Sequence, residues 1–315
     1  MKDKFGRTIK YLRLSVTDLC NYRCIYCMDK DGVVKKRHND ILSIEELTDI
    51  AKAAYSLGIS KIRLTGGEPL VRRGIVTLCR NIRAISDDIE LGITTNGSLL
   101  PELADELKKA GVDRLNISLD TLDKDTFRSI TRVGELDDTL NGIKAAKKAG
   151  FTDIKINAVL LGGINDGEIF DFIKLTKDEA MHVRFIELMP LGVVKNWDKS
   201  RMISVSSIEK YLKPIADSIT SDGVARVYHL PGHKGTVGLI SPMSKGFCAS
   251  CDKIRVTADG KLKPCLHSQT EINLKGLHGD ELISALAEGI IQKPARHLLD
   301  TVGAQTDRNM NEIGG

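Results

Sequence analysis

The stretch from Tyr11 to Met28 reads YLRLSVTDLCNYRCIYCM. It opens as a β-type run, Tyr11 to Val16, with apolar residues alternating against Arg13 and Ser15. It then runs directly into Cys20, Cys24 and Cys27, spaced C-x3-C-x2-C. Clustered thiols have two readings. A structural zinc knot wants four ligands in two short knuckles, and neither Asp29 nor His38 completes that spacing. A four-iron cube takes one thiolate per iron, so three cysteines leave one iron without a protein ligand and open to chemistry. The cluster reading fits the spacing better.

Outward from this stretch the chain alternates. Strand-like runs at Lys61 to Thr65, Leu91 to Thr95, Arg114 to Leu119, Asp153 to Leu160 and Val183 to Leu188 follow the first, separated by helical patterns. That order is the signature of βα units on a parallel sheet. Ser43 and Glu46 form a capping box for a helix that stops at Gly58. Gly58, Gly111 and Gly150 each precede a short link and a strand entry, so the units share one template. The expected fold is α/β: an incomplete (β/α)6 TIM-type barrel over residues 1–220, its mouth covered by a C-terminal region, 221–315.

Strands of an all-parallel sheet usually read as continuous apolar runs. These alternate. Arg13 with Ser15, Arg63 with Thr65, Asn116 with Ser118, and Lys155 with Asn157 share one face of their strands, and leucines and isoleucines take the other. With helices outside, the polar face is the lumen, where Arg13, Arg63 and Lys155 need anionic partners. Lumen carboxylates such as Asp120 or Glu187 are one answer; a bound polyanion is the other. Gly66-Gly67-Glu68-Pro69, Thr94-Thr95-Asn96-Gly97 and Ser118-Leu119-Asp120 stand at strand ends, where barrel active sites lie.

A second constellation comes late: Cys248, Cys251 and Cys265, spaced C-x2-C-x13-C, with His267 two residues on. Alone it reads as a Cys3His zinc site; as a cluster site it again leaves one iron free. Cys79, on an amphipathic helical pattern, reads as a core residue. Seven cysteines in 315 residues, no signal-type apolar start and no long apolar run point to the reducing cytoplasm, with no membrane role. A net charge of +4 is too small to argue for nucleic acid and suits a small anionic substrate.

The motif from Arg13 through Cys27 resembles the radical S-adenosylmethionine enzymes. The whole chain is similar to their GTP 3′,8-cyclase family, through Gly66-Gly67-Glu68-Pro69, Asn116 to Asp120, Glu187-Leu188-Met189-Pro190, Thr257-Ala258-Asp259-Gly260 and the closing Gly314-Gly315. The resemblance implies two [4Fe-4S] clusters, on Cys20, Cys24 and Cys27 and on Cys248, Cys251 and Cys265. It implies S-adenosylmethionine at Tyr26, Gly67, Ser118 and Met189, and GTP at Arg13, Arg63, Thr94, Lys155, Lys253 and Arg255. Arg13, Arg255, Gly314 and Gly315 would act in catalysis, the double glycine entering the barrel. A 5′-deoxyadenosyl radical would take hydrogen from C3′ of GTP, and C3′ would then close on C8. Partners so implied are a flavodoxin or ferredoxin as electron donor and cyclic pyranopterin monophosphate synthase as next enzyme, with a homodimer among the allowed assemblies. The chain departs from the family in having Asp29 where proline is common and Lys253 where arginine is common, losing a planar fork. Two other classes stay open: a peptide- or tetrapyrrole-modifying radical enzyme, and a zinc-binding protein without catalysis.

Overall fold

A computed structural model describes residues 1–299 and 303–314. The first six strands are β1 (Tyr11–Ser15), β2 (Lys61–Thr65), β3 (Glu90–Thr95), β4 (Arg114–Ser118), β5 (Ile154–Leu160) and β6 (Met181–Glu187). All neighbouring pairs among them run parallel, in chain order. Helices connect them: α1 (Ile44–Ser56), α2 (Ile75–Ile85), α3 (Leu100–Lys109), α4 (Lys124–Thr131), α5 (Leu136–Lys148) and α6 (Ile169–Asp178), with α7 (Ser206–Leu212) after β6. The capping box of Ser43 and Glu46 starts α1 as expected. Gly58, Gly111 and Gly150 adopt φ of 86°, 87° and 86°, the left-handed turn that glycine makes at least cost. Cys79 is fully buried in α2.

The later strands, absent from the sequence reading, lengthen this sheet at both edges. Beyond β6 lies β9 (Thr236–Ile240), parallel to it, then β8 (Ala225–His229) and β7 (Ser218–Asp222), antiparallel. Beyond β1 lies β10 (Lys253–Val256), parallel, then β11 (Lys261–Lys263) and β12 (Ile272–Asn273), antiparallel. Among the described residues the sheet has twelve strands and stays open between β12 and β7. The expected division at residue 220 falls inside β7. Helix α8 (Gly279–Ile291) packs on α1, and a short helix α9 (Met310–Ile313) ends the described chain.

Register sets the polar face in rows. One row runs Arg255, Arg13, Arg63, Gly92, Arg114 across β10, β1, β2, β3 and β4. A second runs Thr94, Asn116, Lys155, His182, Thr236, and a third Ser118, Asn157, Arg184, Gly238. Between these rows Leu12, Leu14, Ile62, Leu64, Leu91, Ile93, Leu115 and Ile117 are fully buried toward the helices. Burying each such side chain contributes roughly 1.5–3 kcal/mol, so this alternation fixes the face that remains for polar groups. A Cβ on Gly92 would lie 3.0 Å from Arg63 Cζ, and one on Gly238 3.0 Å from Arg184 Cγ. The strand glycines make room for lumen arginines.

Candidate functional site

Three strand ends fasten the loop that carries Cys20, Cys24 and Cys27. After β2, the N–H groups of Gly67 and Glu68 donate to the carbonyls of Thr17 (2.7 Å) and Leu19 (2.8 Å). A Cβ on Gly67 would stand 2.3 Å from the Leu19 oxygen, so this approach requires glycine. Glu68, buried, accepts from the Leu70 and Asn96 N–H groups and the Thr95 hydroxyl, joining the ends of β2 and β3. Asn96 donates from its side chain to Asn21 at 2.8 Å. After β4, Asp120 accepts from Tyr26 Oη at 2.6 Å and from Val159 N–H at 2.8 Å. Burial pushes Glu68 up to about 7 and Asp120 up to about 6, a mark of how dry these strand ends are.

The three thiols face one cavity. Tyr22 N–H donates to Cys20 Sγ at 3.3 Å. Burial pushes Cys20 up to about 11; burial, then the charge of Cys20, pushes Cys27 up to about 12; burial, then Cys27, raises Cys24 well above the ordinary thiol range. Half-buried thiols that oppose one another's ionisation await a cation, and cluster irons both supply the charge and take the thiolate form. The donor set thus fits a cluster. Among the described residues, no three His, Cys, Asp or Glu side chains stand together as ligands of one ion.

The cavity, about 330 Å³, runs from Tyr11 and Lys61 at one end of the strands to the cysteine loop at the other. Tyr26, Gly67, Ser118 and Met189 line it, as do Arg13, Arg63, Thr94, Lys155 and Lys253. Six buried polar atoms on its walls lack a hydrogen-bond partner among the described residues: Arg63 Nη1, Thr65 Oγ1, Thr94 Oγ1, Asn116 Oδ1, Asn157 Oδ1 and Asn311 Oδ1. Each such atom costs about 1–3 kcal/mol unless a ligand or water meets it. Arg63 also donates from Nε to Tyr11 Oη at 2.5 Å. Burial opposes ionisation of Tyr11, but Arg63 and Arg13 outweigh it and bring the phenol down to about 8.

The lumen cations do not pair with Asp120 or Glu187. Glu187 is taken by the N–H groups of Val205, Met243 and Ser244 and the Ser244 hydroxyl. Lys155 instead donates to Asp222, at the end of β7, at 2.7 Å. Arg13 and Arg255 donate to the carbonyl of Gly314, at 3.3 Å and 3.1 Å. Burial, then the charge of Arg13, lowers the proton affinity of Arg255, which stays a guanidinium in want of an anion. Gly315 lies outside the described residues.

Cys248, Cys251 and Cys265 flank β10 and the β10–β11 hairpin, with Arg255 close enough to feel the charge of Cys251 and Cys265. Burial opposes ionisation of Cys251, and Lys293 and Lys253 outweigh it, holding the thiol below its ordinary value. His267 does not complete a zinc set with them. Its ring packs on His297, centroids 4.8 Å apart, and its Nδ1 is buried without a partner among the described residues.

Arg184, Lys61, Tyr11 and Asp222 also line the cavity and were missed in the sequence. Period two would have found three of them, since Lys61 shares a face with Arg63, Tyr11 with Arg13, and Arg184 alternates with Val183 and Phe185. No local signal marks Asp222.

An open sheet of parallel βα units with C-x3-C-x2-C after its first strand defines a radical S-adenosylmethionine chain. The family model of that superfamily matches residues 14–176, and one described as Molybdenum Cofactor Synthesis C matches residues 181–299. Proteins named GTP 3′,8-cyclase from Alkaliphilus oremlandii and Moorella thermoacetica are 48% and 46% identical, each alignment covering 100% of both chains. The chain belongs to the GTP 3′,8-cyclase family of the radical S-adenosylmethionine superfamily. Among solved structures, Streptococcus suis SuiB bound to S-adenosylmethionine has a TM-score of 0.64 at 16% identity, covering 89% of this chain and 68% of that one. The structure titled native anSMEcpe with bound AdoMet has a TM-score of 0.52 at 16% identity, covering 86% of this chain and 80% of the other. These two likenesses concern the fold alone. Among the described residues no helix is long and apolar enough to cross a membrane.

Proposed function

We propose that this chain converts GTP to (8S)-3′,8-cyclo-7,8-dihydroguanosine 5′-triphosphate, the opening reaction of molybdenum cofactor biosynthesis. The observation that carries the reading is a single cavity with three thiols at one end, lumen cations at the other, and unpartnered polar atoms between them. Cys20, Cys24 and Cys27 would hold a [4Fe-4S] cluster, and Cys248, Cys251 and Cys265 a second. Strands β1–β6 with their helices are read as an incomplete (β/α)6 barrel, residues 1–220, and 221–315 as the region that brings the second cluster to its mouth.

When bound, the first cluster and S-adenosylmethionine supply a 5′-deoxyadenosyl radical. The chain's own residues position what that radical meets. Tyr26, Gly67, Ser118 and Met189 border the thiol end and would seat S-adenosylmethionine there. Arg13, Arg63, Thr94, Lys155, Lys253 and Arg255 would take GTP, the guanidinium forks binding phosphate oxygens in pairs. Clamping the triphosphate would restrict the ribose and base to the near-attack arrangement on which closure of C3′ on C8 depends. Gly314 would hold Arg13 and Arg255 in place through its carbonyl, and Gly315 shares the catalytic role in this reading. A flavodoxin- or ferredoxin-type donor would supply two electrons, one for cleavage of S-adenosylmethionine and one, with a proton, for the nucleotide after C3′ closes on C8, and cyclic pyranopterin monophosphate synthase would take the product; a homodimer and a cytoplasmic setting belong to the same reading.

The deciding assay is anaerobic incubation of the reconstituted chain with dithionite, S-adenosylmethionine and GTP. A cyclised nucleotide formed together with 5′-deoxyadenosine is expected. Formation of 5′-deoxyadenosine with unchanged GTP would overturn the proposal.

A further inference from the structure

Lys155 and Arg184 stand on adjacent strands, and one carboxylate holds both. Lys155 Nζ donates to Asp222 Oδ2 at 2.7 Å, and Arg184 Nη2 donates to the same oxygen. Asp222 is the last residue of β7; Gly223 and Val224 form a two-residue turn into β8, pairing Asp222 with Ala225. Ser218 to Ser221 are exposed along this edge strand, whereas Asp222 turns inward, and with Gly223 and Val224 it borders the cavity. Burial opposes its ionisation, yet Lys155 and Arg184 hold the carboxyl well below the ordinary range. Asp153, 3.5 Å from Lys155 and 3.2 Å from Arg114, is the other carboxylate nearby.

An oxygen anion gripped by an ammonium and a guanidinium has the contacts that a phosphate oxygen would make. Lys155 is only 5% exposed, so without an anion at the Asp222 position its charge would be desolvated and left with the longer contact to Asp153, at 3.5 Å. We propose that Asp222 is a tethered stand-in for a phosphate group, neutralising Lys155 and Arg184 in the empty site and yielding them to the polyphosphate of the substrate. This rests on the reading of the lumen as a nucleotide triphosphate site. It adds that binding is an exchange of one anion for another, with the β7–β8 turn as the part that gives way.

Removing the Asp222 charge should raise the energy of the empty site and remove the competitor, so polyphosphates should bind more tightly. The test is equilibrium dialysis of inorganic triphosphate, GTP and guanosine against the full reconstituted chain, Asp222→Asn, and Asp222→Ser as a second variant. Expected is a gain of about tenfold for inorganic triphosphate and GTP, the weight of a charge-assisted hydrogen bond, with guanosine unchanged. The gain should shrink as salt rises and disappear in Asp222→Asn combined with Lys155→Met. Equal or weaker triphosphate binding in both single variants would overturn the proposal, since Asp222 would then be orienting the cations in the bound state. Failure of the nucleotide reading looks different: inorganic triphosphate would still bind and respond to Asp222, while GTP would gain nothing from its guanosine.

Discussion

The carbonyl oxygen of Gly314 lies 3.3 Å from both Nε and Nη2 of Arg13, two residues separated by 301 positions of sequence. Arg255 donates to the same oxygen from the neighbouring strand. Gly314 thus meets the two guanidiniums that head the cationic row.

Gly314 has φ of 80°, and a Cβ there would stand 2.5 Å from Thr65 Oγ1 and 3.0 Å from Ser15 Cβ. Gly314→Ala should unseat the tail while leaving the sheet intact, at a local cost of about 1–2 kcal/mol. Turnover should fall about 100-fold, the scale of a 1 Å misplacement, with the iron content of both clusters kept. Deleting both glycines should give the same result. An unchanged rate in either protein would show that the tail has no part in the reaction.

Tyr11 carries a pH signature. Its phenol is brought down to about 8 against an ordinary value of 10, so between these values the folded chain is ionised there and the unfolded chain is not. This stabilisation is fully present above pH 10 and lost as pH falls through about 8, and its size is about 2–3 kcal/mol. Denaturant titrations at pH 7 and pH 10 should show wild type gaining on Tyr11→Phe at the higher pH. Phenolate absorbance should reveal a tyrosine titrating near 8 that Tyr11→Phe lacks, and GTP, by neutralising Arg13 and Arg63, should move that transition upward.

Gly67 bears on cluster loading. In Gly67→Ala the new Cβ would meet the Leu19 oxygen at 2.3 Å and the Asp18 oxygen at 2.7 Å, both backbone atoms that cannot swing aside. The loop leading to Cys20 must shift, at about 1–3 kcal/mol. Iron analysis should show the first cluster depleted and the second retained; full loading at both would mean that the loop tolerates displacement.

The two triplets should load separately. Cys20→Ala and Cys248→Ala should each keep about half of the wild-type iron and lose cyclisation. Loss of all iron in either variant would count against two independent clusters.

Much of the sheet is visible in the amino-acid pattern because its strands are strongly two-faced. Tyr11 to Thr65 and onward through Leu160, the polar residue at every second place marks both the strand and the lumen. What the pattern hides is pairing across distance. Arg13 and Arg255 are recognisable one by one, but their adjacency depends on β10 pairing with β1, and a four-residue strand announces no partner. The hairpin of β7 and β8 is hidden for a similar reason: its first strand is exposed, so Ser218 to Ser221 carry no apolar alternation. Asp222 could therefore not be matched with Lys155, and the carboxylates that seemed available, Asp120 and Glu187, are spent on backbone N–H groups and hydroxyls. Spacing likewise suggested His267 as a fourth metal ligand, whereas packing turned its ring to His297.

Glu68 joins the ends of β2 and β3, Asp120 joins those of β4 and β5, and each also holds the cysteine loop, at Leu19 and at Tyr26, through hydrogen bonds that involve no metal. Small zinc domains gather their ligands only as the ion arrives, and unfold when it leaves. Here the receptacle is built by the strand ends themselves. The loop that carries Cys20, Cys24 and Cys27 is thereby moored to the sheet by protein contacts alone.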